Sequence, residues 1–235
     1  MRARGCHCLS AWACSSSDLA AAVLYVWYPG EQGGAAVADI LFGAANPSGR
    51  LPVTVPQSVA QLPDLEDYAM RGRTYRYMAE QPLYPFGFGL SYTRFEYGPL
   101  KLSRDKIKPG KALSAELTVT NVGQRAGEEV VQLYIKDEQA SVPAPNWALK
   151  AFKRIELAPG ESKAVKFKIT PQMMELVTET GEPAIEPGGF TVLVGGGSPG
   201  PRAQELGAAR PATARFDVVP ATNSQTDQRH SGSTR

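Results

Sequence analysis

From Leu113 to Val218 apolar residues recur at every second position, run after run. A period of two marks a strand with one face buried, because successive side chains leave a pleated backbone on opposite sides. Leu113, Ala115, Leu117 and Val119 alternate with Ser114, Glu116, Thr118 and Thr120. The same beat returns in Val131, Leu133 and Ile135, in Val165, Phe167 and Ile169, in Phe190, Val192 and Val194, and in Phe216 and Val218. Turn segments, "NVGQRAGE", "LAPGES" and "IEPGG", separate the runs. Several short half-buried strands within about 100 residues predict two antiparallel sheets packed face to face.

The spacing fits an antiparallel β-sandwich of immunoglobulin or fibronectin type, placed at residues 96–219. The pattern before it is different. Ala21 to Tyr28 is a continuous apolar run, as expected of a strand buried on both faces of a parallel sheet. "PGEQGG" follows as a turn, and "AAVADILFG" reads as a helix that Gly43 stops. Asn46, Pro47, Ser48 and Gly49 stand in turn order. Pro52 and Pro56 argue against a central strand in the extended stretch that follows. Residues 57–81 are polar and irregular, and residues 220–235 lack apolar periodicity and are expected to be a disordered tail. A chain of 235 residues divided in this way holds two domains, α+β by content.

Composition limits the function classes. The 25 basic and 23 acidic residues leave a net charge of +2, which advertises neither a nucleic-acid nor an acidic partner. Cys6, Cys8 and Cys14 cluster with His7, but a structural zinc site wants four ligands at paired spacings, so no metal is assigned. No run of about 20 apolar residues predicts a membrane-spanning helix. Arg2, Arg4 and "LAAAVLYVWY" loosely imitate a secretory signal without its small-residue cleavage site, and the compartment stays open.

The candidate sites are few. "YPGEQGG" lies between a predicted strand and a helix, where backbone N–H groups attract anions, but it matches neither a phosphate loop nor a dinucleotide fingerprint. It is read as a tight turn, with Glu31 complementing the helix dipole. Asp64, Glu66 and Asp67 form a carboxylate cluster in a polar loop, read as solvated charge. His7 and His230 lie in the leader and the tail, so no serine or cysteine triad can be assembled. Tyr134, read as outward-facing, and Trp147, in a predicted loop, are the aromatic candidates for a carbohydrate-binding face. No residue of the chain is assigned as catalytic, cofactor-binding or metal-ligating.

Longer motifs carry more. "WYPGEQGGAAVADILFGAANPSGRLPVTVP", "GRTYRYM" and "PLYPFGFGLSYTRF" resemble the closing part of the α/β-sandwich domain of glycoside hydrolase family 3. "GEEVVQLYIKD", "LKAFKRIELAPGES" and "EPGGFTVLVGG" resemble the fibronectin type III-like domain that follows it in many β-glucosidases and β-xylosidases. The resemblance covers residues 21–219 and implies an unmatched leader at 1–18, a partial α/β-sandwich at 19–95 and the β-sandwich at 96–219. It also implies a retaining exo-acting β-glycosidase with neither metal nor organic cofactor. In such enzymes a (β/α)-barrel supplies an aspartate nucleophile, and in many the acid/base glutamate lies upstream of the "WYPG" motif. Neither has a matching position here, so the chain alone is expected to be inactive and to depend on a separate or missing barrel domain, with carbohydrate as the substrate of the intact parent. Relatives of this kind are often periplasmic or secreted. The alternative from another class is a non-catalytic sandwich that binds polysaccharide or protein. The ring-rich "PLYPFGFGLSYTRF", residues 82–95, is expected to pack the first unit against the sandwich, with Gly87 and Gly89 letting backbones pass closely; the alternative is a part in shaping the substrate pocket of the intact family fold.

Overall fold

The computed structural model describes residues 22–220. The leader and all but the first residue of the tail, with their cysteines and histidines, lie outside the described residues. Eleven strands, three short α-helices and two single-turn 3-10 helices, Val59–Gln61 and Pro171–Met173, are present among them. After α1 (Gly33–Leu41) and α2 (Thr74–Tyr77) come β1 (Phe95–Tyr97), β2 (Lys101–Leu102), β3 (Lys106–Ile107), β4 (Leu113–Asn121) and β5 (Gly127–Asp137). The chain continues through β6 (Ala148–Leu157), β7 (Ser162–Ile169), β8 (Leu176–Val177), β9 (Pro183–Ala184), β10 (Gly188–Gly195), α3 (Arg202–Glu205) and β11 (Ala212–Val218).

Two sheets form the sandwich. In the first, β4 pairs antiparallel with β7 along one edge, while β1 and β2 share its other edge. The second runs β3-β11-β10-β5-β6, antiparallel except for the parallel β3–β11 pair. The alternating residues are the core. Val119, Val131, Leu133, Val192 and Val194 are fully buried, and Phe190 stacks on Phe216 at 5.4 Å between ring centres. The fibronectin-like sandwich inferred from the two-residue period is the observed architecture.

The strand β6 is absent from the periodic reading. "ALKAFKRIEL" buries only Ile155 and Leu157 and leaves Phe152 65% exposed, because β6 is the edge of its sheet. A register shift at Leu133/Tyr134 further disturbs its pairing with β5. Lys153 and Arg154 stand on this edge, and charge there discourages pairing with another chain.

The first unit departs from expectation more sharply. The run Val23–Tyr28 forms no strand, and Trp27 and Tyr28 are 50% and 99% exposed. A strand exists only through ladder bonds, and no partner strand lies beside this run among the described residues. Trp27 also has φ 52°, a left-handed conformation that breaks an extended run. The helix is as expected: α1 ends before Gly43, whose φ of 78° suits the glycine stop. Glu31 lies just ahead of the Gln32 cap, near the helix start, and the first turn itself holds no acidic residue.

Candidate functional site

The outer face of the five-stranded sheet is where the two units meet. Tyr134 of β5 points there, yet it is fully buried rather than exposed. Its ring meets Tyr75 of α2 edge-on at 5.8 Å, and Tyr75 stacks on Phe86 at 4.5 Å. The Tyr134 hydroxyl donates to Gln132 Oε1 at 2.6 Å, and Gln132 Nε2 donates to the Gly87 carbonyl at 3.0 Å. Burial pushes the Tyr134 hydroxyl far above the usual tyrosine range. Gly87 has φ 75°, and a Cβ there would collide with the Gln132 amide, so glycine is required twice over. The expected carbohydrate platform therefore loses its main ring, and Trp147 is a half-buried loop residue.

The ring-rich segment acts as the seam. Gly87 N–H donates to Leu51 O at 2.7 Å, Leu51 N–H to Phe88 O at 2.9 Å and Ser198 N–H to Phe86 O at 2.8 Å, tying the "GRLP" stretch, the segment and β10's exit together. Phe88 and Phe95 are buried, and Tyr84 lies parallel to Phe88. Tyr92 stays 44% exposed but donates its hydroxyl to Ile40 O at 2.7 Å, holding the end of α1. The edge of β6 is capped from the same side: Leu149 N–H donates to the Tyr75 hydroxyl at 3.1 Å, and Asn146 N–H to Arg76 O at 2.7 Å.

A buried ion pair that sequence reading did not single out joins the first unit to the inward face of β5, which Glu129 shares with Val131 and Leu133. Arg50 Nη2 lies 2.8 Å from Glu129 Oε1, with side chains only 8% and 6% exposed. Glu129 Oε1 also accepts the Val130 amide at 2.8 Å. Tyr97 stands beside them, its hydroxyl held well above the usual range by burial first, then by the charge of Glu129 and a side-chain interaction with that carboxylate, with Arg50 opposing. A second pair, Glu128 with Arg154, is bridged by the Ser48 hydroxyl and lies near the surface. Its hydrogen bond to Arg154 chiefly holds the Glu128 carboxyl below the usual range, against a weaker desolvation push. A depressed carboxyl stabilises the fold above its unfolded value and loses that contribution as pH falls through the folded one. Urea midpoints of wild type and Glu128→Gln are thus expected to differ slightly at neutral pH and to converge on acidification; a constant gap would refute this.

The other candidates stay apart. Asp64 and Asp67 offer backbone carbonyls to Arg73, and Asp67 Oδ1 accepts the Ala69 amide at 2.8 Å, so of the three carboxylates that of Asp67 braces the turn. Among the described residues no three His, Cys, Asp or Glu side chains group as a metal site, and no helix is long and apolar enough to cross a membrane.

The fold and seam thus define a fibronectin-like sandwich with a glycine- and ring-rich segment strapped over the outer face of its five-stranded sheet. The model of the glycosyl hydrolase family 3 C-terminal domain matches residues 2–92, running through the leader, and that of the fibronectin type III-like domain matches residues 129–198. The chain belongs to glycoside hydrolase family 3 and corresponds to its carboxy-terminal part. It is 41% identical over 181 residues to a beta-xylosidase of Formosa agariphila, covering 75% of this chain and 25% of that protein. It is 40% identical over 186 residues to a periplasmic beta-glucosidase of Salmonella typhimurium, covering 74% and 24%. A solved b-glucosidase from Erythrobacter marinus superposes with a TM-score of 0.73 at 38% identity, covering 87% of this chain and 26% of that one. The chain spans about a quarter of the length of the relatives it matches.

Proposed function

We propose that this chain is the structural C-terminal part of a retaining exo-β-glycosidase acting on β-glucosides or β-xylosides, and that it is inactive alone. The domain limits are taken as 19–95 for the partial α/β unit and 96–219 for the sandwich. The observation that carries the reading is the contrast between the two units. The sandwich closes its own core, whereas the first unit leaves Tyr28, Phe42, Val59, Leu65 and Tyr68 each more than 80% exposed. Exposed apolar surface of this kind marks a face built to be covered, and the rest of the family's α/β sandwich and its barrel are the complement it fits.

Chemistry supports the same division of labour. A retaining glycosidase needs two carboxyl groups about 5–5.5 Å apart across the glycosidic bond. The buried carboxylate Glu129 is instead committed to Arg50 and a backbone amide. The test is hydrolysis of p-nitrophenyl β-glucoside and β-xyloside by the chain alone and by the chain mixed with a folded barrel-containing part of a relative. Silence alone and activity restored in the mixture is the expected result. Turnover by the chain alone would overturn the reading.

A further inference from the structure

The even charge total conceals an uneven distribution. At the Leu113 end of the four-stranded sheet Lys101, Arg104, Lys108, Lys111, Lys166 and Lys168 are all exposed, and the acidic residues on the same stretches are Asp105 and Glu116. Strand pairing sets the charges side by side: Lys101 lies opposite Glu116, Glu116 opposite Lys166, and Ser114 opposite Lys168. Ser103 N–H donates to Ser114 O at 2.9 Å, which puts Arg104 next along that edge, and Lys111 N–H closes a turn on Lys108 O at 3.1 Å just ahead of β4. Cations elsewhere are matched, Arg50 with Glu129, Lys136 with Glu138, Arg154 with Glu128 and Arg202 with Glu205. Of the six at this end, only Lys166 has a carboxylate partner among the described residues, Glu116 at 3.8 Å.

Unpaired like charges repel one another and oppose compaction, so their concentration at one end calls for a complement. The first unit does not supply it. Its hydrogen bond to this sheet, from Thr93 to Asn121, lies at the other end, where Glu96 and Glu161 also stand. The side chains at the basic end select the kind of anion. None of the exposed large apolar residues lies on β2, β4, β7 or the stretch between β2 and β4, so there is no ring on which unpaired bases could stack. No helix or free β-ribbon projects there to enter a duplex groove. Five of the six cations are lysines, compact and strongly hydrated point charges, where gripping single phosphates in two places is the work of arginine. Such an array suits an extended layer of anionic headgroups, which attracts basic residues lying within a Debye length of it and needs no insertion. We propose that this end of the sandwich docks on an anionic lipid bilayer, held at its surface by charge.

The inference rests on the sandwich alone, so it fails or succeeds independently of the glycosidase reading. The experiment is co-sedimentation of the full chain with vesicles of phosphatidylcholine mixed with phosphatidylserine, beside vesicles of phosphatidylcholine only. Binding to the anionic vesicles is expected at about 0.1 M salt and should be lost at about 1 M, where the screening length falls from about 10 Å to about 3 Å. Lys111→Gln combined with Lys168→Gln should weaken binding about 25-fold, at about fivefold for each basic residue near the surface. Lys136→Gln combined with Arg215→Gln removes the same net charge beside Thr191 on the outer face of the other sheet and should change affinity by less than about twofold, since that face lies beyond a Debye length. All four residues are surface side chains, so both variants should keep the wild-type unfolding midpoint. Equal losses from the two pairs would overturn the proposal by showing that total charge, and not this end, is what the vesicle senses. Equal binding to neutral vesicles would overturn it in favour of the exposed rings of the first unit. Retention on duplex DNA without binding to anionic vesicles would overturn it in favour of a polymeric anion.

Discussion

Replacing Arg50 with alanine is expected to cost about 3–5 kcal/mol, because it strands the Glu129 carboxylate in a site where it is 6% exposed. The charge of Glu129 was removed from water on folding and is compensated by the guanidinium at 2.8 Å. Without that partner the whole desolvation cost returns. The damage should be local first. Arg50 precedes Leu51, whose backbone bonds to Gly87 and Phe88 hold the ring-rich segment to the extended stretch. Amide exchange should therefore rise over residues 51–88 well before β4 and β7 lose protection. Arg50→Ala combined with Glu129→Leu removes both charges and should recover much of the loss. A single variant within about 1 kcal/mol of wild type, below the range for a broken buried pair, would show that the pair is not buried as described.

Phe190→Ala should be comparably severe and of a different kind. Phe190 is 1% exposed and lies parallel to Phe216, with an interplanar angle of 11°. Truncation of a buried Phe loses its transfer free energy and leaves a cavity, together about 3–5 kcal/mol. The two sheets press on this site from both sides, so little collapse is available. Here exchange should rise throughout the sandwich, and the urea midpoint should fall without a separate early phase. Phe152→Ala is the matched control: at 65% exposure on the edge strand it should change stability by no more than about 0.5 kcal/mol. A loss at Phe190 no larger than that at Phe152 would contradict the assignment of the core.

Much of this was legible in the residues. Leu113 to Val119, Val165 to Ile169 and Phe190 to Val194 alternate because each of those strands has one dry face and one wet one, and a local rule with period two is written directly into the chain. α1 was legible for the same reason, through its run and the glycine after it. The long motifs, matched in order, pointed to the family and to its C-terminal part.

Tyr134 shows where local reading stops. Alternation placed it outward correctly, but whether outward means wet depends on what lies on that face, and there it is the Tyr75–Phe86 stack and Gly87. A sign of this was present: "VVQLYI" is almost continuously apolar, as a strand covered on both faces should be. The Arg50–Glu129 pair carried no such sign, since the two residues are 79 positions apart and each sits in a stretch that reads as ordinary surface charge. Val23–Tyr28 failed in the opposite direction, because an apolar run can demand a strand but cannot supply the neighbour that bonds it. The chain by itself thus determined the periods, the turns and the family, all set by near neighbours. Which faces are covered, which charges are buried and which rings meet were decided only by tertiary structure, because desolvation belongs to a place in the fold and not to a residue.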